Sequence, residues 1–294
     1  MRLLPLAALA FAGCVENKVS AVRLDAIAVV VGDFDNFRDV LVGLDVGSSP
    51  YDGLIVQETY MPEEERLARG WGGPPVEALL TDTEGDLDLA SFNAVFVNSG
   101  TRGLGAVQYN NPLEPDDSLL TSQALQDACD FATGGGTLVV SDWAYDLVEY
   151  CWPDAIEFVN DDATPDAAQT GQPDGALLAD VVDEGLAEDL GASVTLDYNY
   201  TAWAVIESVG ADTTVLMTGN ASWQPSASDP IEDLIGAPLL VRFPTGRSGQ
   251  VLFSTFAFNV QTPALAEAVL RGGIEGLYRG AGSESASTTE GTTP

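Results

Sequence analysis

Three short polar clusters follow apolar runs in this chain, and they hold the side chains best suited to chemistry. They are Gly32-Asp33-Phe34-Asp35-Asn36, Asn98-Ser99-Gly100 and Ser141-Asp142-Trp143. If the preceding runs are strands of one parallel sheet, the clusters fall along a single rim, where ligands bind in such folds. Asp33, Asp35 and Asp142 would then converge, and three carboxylates suit a hard cation such as Mg2+ or Ca2+. Asn98, Ser99 and Ser141 would add neutral hydrogen-bonding groups to the same candidate ligand site. The missing residues are equally informative. The chain has no histidine, and its one lysine is Lys18. No imidazole can activate a serine or cysteine nucleophile or bind a metal. A P-loop or a Schiff-base lysine in the body of the chain is excluded in the same way.

The elements that must position these residues can be read from hydrophobic periodicity. Ala26 to Val31 is a continuous apolar run, as expected of a strand buried on both faces. Phe37, Val40, Leu41 and Leu44 then recur at helical spacing within Asn36 to Leu44. Tyr51 to Val56 and Asn93 to Val97 are further strand candidates. Ser122 to Thr133 reads as a helix stopped by Gly134-Gly135-Gly136, with a glycine in the left-handed cap position. Those glycines follow a helix instead of preceding one, so capping explains them better than a phosphate cradle. Thr137 to Val140 is a strand and Trp143 to Tyr150 a helix.

Beyond about residue 160 the pattern changes. Leu177 to Leu190 reads as helix. Val194 to Leu196, Ala202 to Ile206, Val215 to Met217, Leu239 to Phe243 and Val251 to Phe256 read as strands. Pro244 to Gly249 is a hairpin turn, and Pro263 to Tyr278 a last amphipathic helix. The expected fold class is α/β: a doubly wound, mostly parallel, flavodoxin-like sheet with an antiparallel β extension over about 160–256. Trp143, Trp152, Trp203 and Trp223 could line a groove, but aromatic residues beside strands usually fill the core.

Composition narrows the function classes. Eleven basic residues against 45 acidic ones give a formal net charge of −34 over 294 residues. Such a chain repels phosphate backbones, so nucleic acid is not an expected partner. With 46% hydrophobic and 19% charged residues the composition is that of a globular protein.

Two family resemblances bear on the rim. Asp33-Phe34-Asp35, Ser99 and Asp142 resemble the motifs of haloacid-dehalogenase-type phosphohydrolases, which implies a nucleophile and Mg2+ on Asp33, Asp35 and Asp142. That family's basic residue is missing as lysine; only Arg102 lies near, and a phosphoryl transition state without a placed cation is poorly stabilised. Helix capping and a solvated acidic rim account for the same residues. Leu89 to Gly100, Phe131 to Gly136, Thr137 to Asp142, Val241 to Val251 and Ser254-Thr255-Phe256 together resemble the class I glutamine-amidotransferase-like fold. The likeness spans roughly 26–155 and 237–278. It implies a strand-to-helix elbow, which in that superfamily carries a cysteine paired with histidine. Here the elbow offers Ser141 and there is no histidine, so glutaminase chemistry is excluded and no catalytic residue is expected.

The N-terminus places the domain in a compartment. Met1 to Cys14 has one positive charge, an apolar run and small residues leading into a cysteine, the plan of a signal peptide. Ala12-Gly13-Cys14 resembles the bacterial lipobox, which implies lipidation of Cys14 and membrane attachment through that lipid. Val15 follows the cysteine where an aspartate would retain the protein at the inner membrane, which favours outer-membrane sorting. The expected plan is a signal peptide at 1–13, a tether at 14–24, the α/β domain at 25–280 and a low-complexity tail at 281–294. Cys129 and Cys151 remain as a candidate disulfide in this oxidising compartment, worth roughly 3 kcal/mol in the chain-entropy model. The expected function is a non-catalytic, lipid-anchored binding or structural module of the bacterial cell envelope, its protein or small-molecule ligand unknown. A Mg2+-dependent phosphohydrolase using Asp33, Asp35 and Asp142 is the alternative. Carboxylate clusters at 33–39, 82–88 and 161–166 make a calcium-stabilised surface protein the second.

Overall fold

Ile27 to Val31 is buried at every position, which a strand achieves only with cover on both faces. In the computed structural model this strand, β1, lies inside a sheet clad by helices. The structure describes residues 26–32, 34–52, 88–100, 122–159, 170–172, 175–199, 203–224, 228–246 and 248–274. Cys14 and its lipobox, the tether, Asp33, Arg102, the acidic turn at 82–87, the stretch 160–166 and the tail at 281–294 lie outside those residues.

β1 pairs in parallel with β2 (Ser49–Asp52) and β3 (Ala94–Val97). β3 pairs in parallel with β4 (Thr137–Ser141), and β4 with β12 (Gly249–Ser254). The order β2-β1-β3-β4-β12 is the flavodoxin-like arrangement. The sheet continues antiparallel through β11 (Glu232–Thr245), β10 (Thr214–Gln224), β7 (Gly175–Val181) and β8 (Ser193–Tyr198), with β6 (Thr170–Gln172) also on β10. β5 (Ile156–Phe158) and β9 (Ile206–Val209) form a separate two-stranded sheet. The chain is therefore an α/β fold, a parallel flavodoxin-like sheet continued by an antiparallel extension. β12 belongs to both halves, parallel to β4 and antiparallel to β11.

Strand alternation divides the core. Ile27, Val29, Ala94, Phe96, Val139 and Leu252 face one side, packing with α1 (Phe37–Gly43), α4 (Glu184–Leu190) and α5 (Pro263–Gly273). Ala28, Val30, Val95, Val97, Leu138 and Val140 face α2 (Ser122–Thr133) and α3 (Tyr145–Cys151) on the other. A disulfide joins Cys129 in α2 to Cys151 in α3, their Cα atoms 5.4 Å apart. The β11–β12 turn closes over the end of α2. A Cβ on Gly249 would stand 1.7 Å from the Ala132 carbonyl oxygen, so only glycine fits that approach.

One expected element is corrected and two are shifted. Of the shifted ones, the strand expected over 202–206 begins only at Ile206, as β9, with Ala202 outside the described residues. The helix expected over 177–190 is strand β7 followed by the short helix α4. Leu177, Ala179 and Val181 are buried while Leu178 and Asp180 are exposed, a period of two that pairing with β10 and β8 imposes on helix-forming residues. Asp183 marks the true start of the helix, its carboxylate accepting the Leu186 N–H at 2.8 Å. The strand expected at 51–56 begins earlier, as β2, Ser49–Asp52, while 53–56 lie outside the described residues. Pro50 is tolerated because, among the described residues, β2 is an edge strand with one neighbour.

Candidate functional site

The rim lies at the carboxyl ends of β1, β3 and β4. Past β1, Asn36 caps α1, its side chain accepting the Asp39 N–H at 3.2 Å. Asp35 turns inward and is 3% exposed. Its Oδ1 accepts the N–H groups of Asn36 (2.7 Å) and Asn259 (3.1 Å), and its Oδ2 that of Phe258 (3.0 Å). Burial pushes this carboxyl above its ordinary range, opposed by those donors and by the Ser141 hydroxyl. Asp35 thereby ties the β1–α1 loop to the β12–α5 loop.

Past β3, the Asn98 side chain accepts the Phe37 N–H at 2.9 Å and so serves the start of α1 rather than the carboxylates. The Ser99 N–H donates to Ser141 Oγ at 3.0 Å, and Ser99 Oγ donates to Asp142 Oδ2 at 3.2 Å. Past β4, the left-handed residue is Asp142, with φ of 44°, while Ser141 stays extended. The elbow is thus occupied by Asp142 and not by Ser141, where the family resemblance put it. A non-glycine residue in this region carries backbone strain held by its surroundings. Here the surroundings are hydrogen bonds: besides Ser99, Asp142 Oδ1 accepts the Ala204 N–H at 2.7 Å. The Trp143 N–H, one residue past the elbow, donates to Ser99 Oγ at 3.2 Å.

Asp142 is 5% exposed. Burial pushes its pKa up to about 8, opposed by the Ala204 and Ser99 donors and reinforced by the negative charge of Asp35. Beside it, the Tyr198 hydroxyl shares a hydrogen bond of 2.8 Å with Thr255 Oγ1. Burial raises the phenol pKa, and Asp142 adds to the rise. The Trp203 ring lies 4.7 Å from that of Tyr198, and its buried Nε1 has no partner among the described residues.

Asp35, Ser99, Ser141 and Asp142 therefore meet, and Asn98 stands at their edge. Among the described residues no group of three His, Cys, Asp or Glu side chains could hold a metal ion. Every oxygen of Asp35 and Asp142 accepts from a donor of the protein, and the segment from Trp203 to Val205 runs across the elbow. Tyr198, Ala204, Thr255 and Phe258 complete the site without having been singled out, except that Thr255 lies in the Ser254-Thr255-Phe256 stretch. Trp143 and Trp203 are core residues, at 4% and 1% exposed.

No family model and no curated protein matches the chain. Among solved structures it is similar to a GMP-synthase-like protein from Thermoplasma acidophilum, at 11% identity over 84% of this chain and 90% of that one, with a TM-score of 0.48. A ThuA-like protein from Bacteroides uniformis matches at 13% identity over 86% and 91%, with a TM-score of 0.42. A β-galactosidase from Bacillus circulans matches at 11% identity over 84% of this chain but 30% of its own, with a TM-score of 0.38. These are likenesses of overall shape, at identities that transfer no residue's role.

Proposed function

We propose that the chain is a non-catalytic, lipid-anchored module of the bacterial cell envelope, held at the outer membrane through Cys14 and acting in binding or structure. The observation that carries the non-catalytic reading is the state of the elbow. Asp142 is buried, both of its oxygens accept from protein donors, and the N–H behind it donates to Ser99 Oγ. A nucleophile needs an approachable lone pair, and an oxyanion needs free donors. This elbow offers neither to a substrate.

The envelope reading rests on the lipobox-like Ala12-Gly13-Cys14 and gains support from the Cys129–Cys151 bond, since disulfides persist in oxidising compartments. Labelling cells with a fatty-acid analogue and separating their membranes tests it. Lipid label and outer-membrane fractionation are expected for the parent chain, and loss of both for Cys14→Ala. A parent chain that stays soluble and unlabelled overturns the anchor. Magnesium-dependent turnover of p-nitrophenyl phosphate that disappears in Asp142→Asn overturns the non-catalytic reading and restores the phosphohydrolase.

A further inference from the structure

Over β7, β8 and the first residues of β11, the described helices cover only one face of the antiparallel half. Leu177, Ala179, Leu196 and Ala221 point to that covered side and join the core around Leu186 and α5. The other face exposes aliphatic side chains in register. Leu178 is 66% exposed on β7, and Val182, 49% exposed, continues its alternation. Ile235 is 74% exposed on β11, and Ile231, 56% exposed, stands just before that strand. Six large hydrophobic side chains are strongly exposed among the described residues, and these four share one face.

Acids interleave with them at the same two-residue spacing. Asp180 lies between Leu178 and Val182, and Asp233 between Ile231 and Ile235. The Ser222 hydroxyl donates to Asp233 at 2.7 Å, which fixes that side chain on the outer surface of the β10–β11 pair. Asp197 on β8 is exposed on the same side. No lysine or arginine occupies the outward positions of these strands.

We propose that this face docks a cationic polypeptide segment that carries aliphatic side chains in alternation with lysine or arginine. Period-two rows of aliphatic and acidic groups match such a segment in both chemistry and spacing, since alternate residues of an extended chain stand roughly 6.8 Å apart. A second copy would set aspartate against aspartate on chains of net charge −34, and an anionic lipid surface would be repelled. The proposal names a partner for the binding module above and rests on that reading, but it does not involve the anchor.

The test titrates an alternating valine–lysine octapeptide into the purified full-length chain and follows its backbone amide signals. Octalysine and an alternating valine–glutamate octapeptide serve as comparisons. We expect the valine–lysine peptide to bind most tightly and to move amides of β7, β10 and β11. Binding should weaken with added salt, and by about tenfold or more in Leu178→Ser/Ile235→Ser, whose thermal melt should match the parent. Equal binding of octalysine, unchanged affinity in the double variant, or shifts confined to the helix-covered face would overturn the proposal. So would concentration-dependent dimerisation that the double variant abolishes. Loss of lipid labelling in cells would count against the anchor and leave this result standing.

Discussion

At the scale of single residues, the buried carboxyl at the elbow makes stability depend on pH. The Asp142 pKa lies above that of an unfolded aspartate, at about 8, with burial as the first cause. The folded chain therefore binds this proton more tightly than the unfolded chain. The stability it contributes is complete below the unfolded pKa and is lost as pH rises through the folded one. Asp35 shifts in the same direction. We expect the melting temperature to fall as pH is raised from about 5 to about 8, and to fall less in Asp142→Asn. An asparagine there keeps an acceptor for the Ala204 N–H and a polar group for Ser99 but cannot ionise. Diffuse repulsion among surface acids slopes the same way in both proteins, so the difference between the two pH profiles isolates Asp142. Parallel profiles would refute the assignment.

At the scale of elements, the structure depends on two contacts about one turn apart in the C-terminal half of α2. The disulfide ties α2 to α3, the helix that leaves the elbow. Its separation of 22 residues corresponds to about 3 kcal/mol in the chain-entropy model. Reduction, or Cys129→Ala/Cys151→Ala, should lower the unfolding free energy read from urea curves by that much while leaving the far-ultraviolet spectrum folded. About one turn further along α2, Gly249→Ala forces a methyl group into the Ala132 carbonyl and should cost about 2–3 kcal/mol, read from the same unfolding curves. An unchanged midpoint in either case contradicts the packing described. Most of the parallel half could be read in the sequence because β1, β3, β4 and β12 each hold a continuous apolar run and α1 and α2 carry a 3.6-residue pattern. β2, Ser-Pro-Tyr-Asp, has no such run. Strand β7 could not be read, since Gly-Ala-Leu-Leu-Ala-Asp-Val holds good helix formers and only its neighbours make it extended. The same limit applies at the rim. Asp35, Ser99, Ser141 and Asp142 follow from strand ends, which are local. Ala204 and Phe258 reach Asp142 and Asp35 across separations of 62 and 223 residues, which no local signal encodes.

At the scale of the whole molecule, 45 acidic residues face 11 basic ones, and described cations are spent locally. Arg242 donates to the Gly272 and Gly273 carbonyls at the end of α5, and Arg271 pairs with Glu267 on the same helix. Little positive charge is left to offset the acids by pairing, so the folded chain carries a long-range repulsion that mobile ions screen. Raising sodium chloride from about 20 mM, where the Debye length exceeds about 20 Å, to about 0.5 M should therefore raise the melting temperature steadily. The same experiment separates diffuse screening from a built cation site. Repulsion spread over the surface responds to ionic strength, so calcium chloride matched in ionic strength should act much as sodium chloride does. A bound calcium ion instead stabilises by mass action, with a shift that begins near its dissociation constant and grows with the logarithm of concentration. Among the described residues no carboxylate trio could hold the ion, and Asp35 and Asp142 are committed to backbone and serine donors. We therefore expect the two salts to agree. A larger shift from low-millimolar calcium, abolished by chelation, would instead favour the calcium-stabilised protein over the purely screened one.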